Sequence, residues 1–131
     1  MKKRKENFSS FLTLLLVFKE QVLKNPSKTV IIEGKAEITY RELKEYSLSI
    51  APSLKQAQIK PLDRVAILLP QGISIIASLL GVLENGSVYV SIDHYFPVER
   101  IGLMLKNDLV FCFFSRIKKP KRNKCYLYSE T

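Results

Sequence analysis

Apolar positions recur along this chain with more than one period, and each period predicts an element. Leu15, Phe18 and Val22 fall at helical spacing, with Thr13 placed to cap that helix and Asn25-Pro26 to end it. Thr29-Val30-Ile31-Ile32 reads as a short strand, and Gly34 supplies a turn before Glu37-Ile38. Thr39-Tyr40-Arg41-Glu42 has the form of a capping box, in which hydroxyl and carboxylate satisfy free amides at a helix start. The helix it opens carries Tyr40, Leu43, Ser47, Ile50 and Leu54 on one face, and Pro52 within it is expected to kink or shorten it.

The pattern then changes. Val65-Ala66-Ile67-Leu68-Leu69 is a continuous apolar run closed by Pro70, as in a parallel strand buried on both faces. Ile73 to Glu84 is helical in character, and Asn85-Gly86 provides a left-handed stop. Val88-Tyr89-Val90 is the next strand, and Pro97 opens another helix through Ile101, Met104 and Leu105. Leu109 to Phe114 is a third apolar strand. Strand, helix, strand, helix, strand at these spacings predicts right-handed crossovers, hence an α/β fold on a partial parallel sheet of three strands.

Composition changes this picture little. With 131 residues, 47% of them apolar and 25% charged, the chain is globular in character and makes one domain or most of one. Its formal charge of +9 sits entirely at the ends. Lys2, Lys3, Arg4 and Lys5 supply part of it, and residues 116–131, six cations from Arg116 to Lys124 against Glu130, supply the rest. The body between holds equal numbers of acidic and basic side chains. This argues against a folded nucleic-acid-binding surface, while leaving weak, salt-sensitive binding of nucleic acid or anionic membrane to the tails. The expected organisation is a basic lead over residues 1–10, an α/β region over 11–114 and a basic, non-periodic tail over 115–131.

Candidate chemistry is sparse. Cys112 and Cys125 lack metal-ligand or redox spacing, Cys112 reads as a buried apolar residue, and a reducing cytoplasm is expected. Asp93-His94 reads as an exposed loop pair, because a metal site needs three or four ligands. Ser9-Ser10 reads as a helix lead-in, and no serine stands in a nucleophile elbow. Met1 to Phe18 has the charged and apolar parts of a secretory leader. The apolar stretch is too short to span a bilayer and no small-residue pair offers a cleavage site, so a core helix is expected.

Five ordered motifs carry a resemblance. They are Phe18 with Gln21-Val22, Ile38-Thr39-Tyr40-Arg41-Glu42-Leu43, Leu62-Asp63-Arg64-Val65-Ala66, Glu84 to Asp93, and Pro97 with Glu99-Arg100-Ile101. From about Phe11 to Phe114 the chain resembles the opening of an adenylation domain, in the peptide-synthetase branch of the acyl-adenylate-forming enzymes. Leu62 stands where the family has a turn glycine, and Ser91 and His94 where it has prolines. The resemblance implies the N-terminal part of the large domain of an AMP-dependent ligase. Such enzymes join a carboxylic or amino acid to ATP with Mg, then pass the acyl group to a carrier protein's phosphopantetheine thiol. It also implies that the glycine-rich phosphate loop, the ribose-binding aspartate and the mobile lysine belong to segments downstream. The glycines here, Gly34, Gly72, Gly81, Gly86 and Gly102, are isolated. No catalytic, cofactor-binding or metal residue is therefore assigned.

The leading expectation is a truncated relative that is inactive alone, leaves strand edges uncovered, and is marginally stable or self-associating. The others are a small non-catalytic protein using basic tails on membrane or nucleic acid, and a subunit completing a split synthetase or meeting a carrier protein.

Overall fold

The computed structural model describes residues 2–92, 95, 97, 99–100, 103, 112–115 and 125–128, with side chains from residue 13 onward outside the last strands. Helix α1 (Lys2–Lys24) leads into strands β1 (Thr29–Glu33) and β2 (Ala36–Thr39), then helix α2 (Tyr40–Gln56). Strand β3 (Arg64–Leu68), helix α3 (Ile73–Glu84) and strands β4 (Val88–Ser91), β5 (Cys112–Ser115) and β6 (Cys125–Tyr128) follow. β1 and β2 form an antiparallel hairpin. The other strands form one parallel sheet in the order β4-β3-β5-β6.

The parallel α/β class expected from the pattern is the one observed. Val65, Ile67 and Leu69 join the cluster under the helices, with Leu43, Ile50 and Leu54 of α2 and Ala77, Leu80 and Val82 of α3. Ala66 and Leu68 are buried as well and point the other way, since side chains alternate along a strand. The run is apolar throughout because both faces of β3 are covered. α2 and α3 cross closely at Gly81, where a Cβ would lie 2.9 Å from the Ser47 carbonyl.

The boundaries have identifiable causes. At the start of α2, Glu42 N donates to Thr39 Oγ1 at 3.2 Å and Thr39 N to the Glu42 carboxylate at 3.0 Å, completing the capping box. α2 and α3 both end in Schellman turns. Ile59 N donates to the Leu54 carbonyl and Gln58 N to that of Lys55; Ser87 N and Gly86 N repeat the pattern with Val82 and Leu83. The left-handed position is Gly86 (φ +77°) in α3 but Gln58 (φ +63°) in α2.

Several expectations are corrected. Thr13 lies inside α1 and not at its start, because the helix already runs from Lys2; Ser9-Ser10 fall within that helix too. Pro52 does not shorten α2, which continues to Gln56. The sheet gains a fourth strand, β6, from the segment read as a non-periodic tail. Four residues are enough for an edge strand, too few for a period to stand out. The helix through Pro97 is described only at Glu99, Arg100 and Leu103, and Asp93-His94 lie outside the described residues.

Candidate functional site at the carboxyl edge of the sheet

Strand order determines where such a sheet can bind a ligand. β3 connects to β4 on one side, whereas β5 connects to β6 on the other. Adjacent strands whose connections diverge leave a crevice at their carboxyl ends, the topological switch point where open α/β sheets take ligands. Here it lies beyond Leu68 of β3 and Ser115 of β5. On the β3 side it is bordered by Leu69-Pro70-Gln71-Gly72 and the first turn of α3.

The start of α3 is the polar feature of this edge. A helix begins with unpaired amides and a partial positive charge, which makes it a site for anions. Gly72 has no side chain to cap it, and the cap comes from elsewhere: Ile73 N donates to Glu33 Oε1 at 2.7 Å. Glu33 closes β1 and lies 40 residues away in sequence. Gly72 takes φ +153°, a conformation side chains rarely adopt, and a Cβ there would displace the Glu33 carboxylate. Tyr46 Oη, from α2, donates to Ser74 Oγ at 3.2 Å and fixes the same turn. A phosphate approaching this helix start would meet a carboxylate already in place.

The turn before β3 shows what the resemblance only implied. Asp63 N donates to the Lys60 carbonyl at 3.1 Å, and Lys60 N to Asp63 Oδ2 at 2.7 Å. With Pro61 second and Leu62 third at φ +73°, this is the turn geometry that favours glycine at the third position. Leu62, which is not a glycine, takes that conformation.

Of the residues weighed for chemistry, Asp93-His94 lie outside the described residues. Register pairs Cys112 with Cys125 across β5 and β6, a neighbourhood their spacing did not reveal. Among the described residues no three His, Cys, Asp or Glu side chains stand close enough to hold a metal. The Glu33–Gly72–Ile73 contact was missed at the sequence level. Its signals were a glycine where α3 needed a cap and an acid at the hairpin tip.

An open parallel sheet with crossover helices and a switch-point crevice defines an open α/β type of domain, and the relatives narrow it further. The chain belongs to the AMP-binding enzyme family, whose family model matches residues 18–126 and so reaches the first two residues of β6. It is 36% identical over 93 residues to gramicidin S synthase 2 of Brevibacillus brevis, covering 71% of this chain and 2% of that protein. It is 34% identical over 96 residues to bacitracin synthase 2 of Bacillus licheniformis, covering 73% and 4%. In fold it matches the N-terminal subdomain of Klebsiella oxytoca NpsA with a TM-score of 0.76 at 23% identity, over 88% of this chain and 30% of that one. It therefore corresponds to the N-terminal part of a peptide-synthetase adenylation domain and spans a few per cent of the synthetases it matches.

Proposed function

We propose that this chain forms the front of an adenylation domain's large lobe and has no adenylating activity by itself. The observation carrying this reading is the occupied helix start. The anion-binding turn at the switch point holds Glu33 instead of a free phosphate cradle, and no glycine cluster offers another. ATP, Mg and a carrier-protein thiol belong to the complete family enzyme, whose phosphate loop the resemblance assigns to a downstream segment.

The purified chain is expected to give no ATP–pyrophosphate exchange above background with a panel of amino and aryl acids. Exchange that depends on both ATP and one acid would overturn the proposal. A second reading, a subunit completing a split synthetase, is favoured by the sheet. Parallel strands are normally interior, yet among the described residues β4 and β6 both stand at edges. Co-expression with a polypeptide beginning at a synthetase phosphate loop should then restore exchange. A cytoplasmic setting is part of the proposal. No helix among the described residues is long and apolar enough to cross a membrane.

A further inference from the structure

One asparagine ties together the loops that enter β3 and β4. Asn85, at the end of α3, donates from Nδ2 to the Ser87 hydroxyl at 2.9 Å and to the Ile59 carbonyl at 3.3 Å. Ser87 is 2% exposed, and its hydroxyl donates in turn to the Lys60 carbonyl at 3.0 Å. Ile59 and Lys60 belong to the turn between α2 and β3. Backbone bonds close the same junction: Leu62 N donates to the Gly86 carbonyl and Val88 N to that of Asp63, each at 2.9 Å. Asn85 is also followed by Gly86, whereas Asn7, Asn25, Asn107 and Asn123 precede Phe, Pro, Asp and Lys. Besides ending a helix, an Asn-Gly pair has a chemistry of its own. Glycine has no side chain to screen its backbone nitrogen, which can attack the asparagine amide.

We propose that Asn85-Gly86 is a spontaneous deamidation site, which the folded clamp holds unreactive and local opening releases. In the reaction Gly86 N gives up its proton and bonds to Asn85 Cγ. The Cγ–Nδ2 bond breaks, and Nδ2 takes up a proton and leaves as ammonia. Water then opens the cyclic imide at either carbonyl and leaves an aspartate or an isoaspartate, so the net exchange is water for ammonia. The fold opposes the attack. The ring closes only when Gly86 N eclipses Asn85 Cβ, and ψ −5° at Asn85 rotates it far from that position. Gly86 N is engaged with the Leu83 carbonyl at 2.9 Å, and the leaving nitrogen is held by both of its acceptors. These restraints vanish together when the last turn of α3 opens, as helix ends do before the core. The reaction also runs one way. A carboxylate has no hydrogen to donate, so the Ile59 carbonyl loses this donor and faces a negative charge. Isoaspartate further lengthens the backbone beside Gly86, where φ is +77°. The clamp cannot close again, and each conversion leaves a less stable chain.

The test incubates the full chain in mildly alkaline buffer, native or unfolded in guanidinium chloride, and reads conversion at each asparagine by peptide mass mapping. In the unfolded chain Asn85 is expected to convert well ahead of Asn7, Asn107 and Asn123, with Asn25 inert because Pro26 has no N–H to ionise. In the native chain conversion at Asn85 should be slower by about tenfold or more, because it follows the population of the open form. Sucrose, which favours the compact state, should slow it further. Asn85→Asp, which installs one product directly, should lower the guanidinium midpoint of the chain. A native chain that converts as fast as the unfolded one overturns the proposal. So does an unfolded chain in which Asn85 shows no lead over the other asparagines. A midpoint that Asn85→Asp leaves unchanged also overturns it, since the junction would then not depend on the amide.

Discussion

Leu62 and Gln58 hold left-handed backbone conformations four residues apart, and neither is a glycine. A side chain at such a position costs about 1–2 kcal/mol against the following carbonyl, a cost glycine avoids. Leu62 is 64% exposed, so little packing offsets its strain. Leu62→Gly is expected to raise unfolding stability by about 1 kcal/mol in urea titration, and Gln58→Gly by a similar amount. A fall in stability with Leu62→Gly would mean that its side chain makes contacts outweighing the strain. Both residues flank the entry to β3, so an avoidable cost sits beside the central strand of the sheet. The missing turn glycine was legible in the sequence, from the motif around Asp63. Gln58 was not, because nothing in Ala57-Gln58-Ile59 announces that Ile59 N will reach back to Leu54.

Helix ends and strand register decide how the elements are fixed. The Glu42 carboxylate accepts from Thr39 N, and this bond, with the hydroxyl contact, lowers its pKa from the ordinary 4.5. A carboxylate with a depressed folded-state pKa stabilises above its unfolded pKa, and the contribution disappears as pH falls through the folded value. Thermal stability should therefore decline below about pH 4.5, and Glu42→Gln should flatten that part of the acid limb. Thr39→Ala should cost about 1 kcal/mol near neutral pH. An acid limb that Glu42→Gln leaves unchanged would remove the cap from this account.

The β5–β6 register makes a separate prediction. Cys112 and Cys125 are direct partners on neighbouring strands, and such strands lie about 4.8 Å apart, within the Cα separations that disulfides span. Oxidised glutathione should yield an intramolecular cross-link, visible by peptide mapping without reductant. Two free thiols after oxidation would argue against this register.

At the scale of the whole molecule, the hairpin, helices α1 to α3 and the parallel sheet share one buried cluster reaching from Leu15 to Leu83. Among the described residues the sheet ends at β4 and β6, and unpaired parallel edges invite pairing with other chains. The expected behaviour is a low, concentration-dependent melting transition accompanied by self-association in sedimentation velocity. A sharp, reversible melt of a monomer would show that the front of the lobe is self-sufficient.

The sequence by itself determined what local physics controls. Apolar periods marked α2, α3, β3 and β4, Thr39 and Glu42 marked a helix start, and Gly86 marked a stop. Each involves residues within a few positions of one another, so the chain states it directly. Only the tertiary structure decided the rest. It brought Glu33 to the start of α3, paired Cys112 with Cys125, reversed the strand order at β3 and added β6 from a segment without a readable period. These depend on which distant segments meet once both faces of β3 are covered, and no local pattern encodes that meeting.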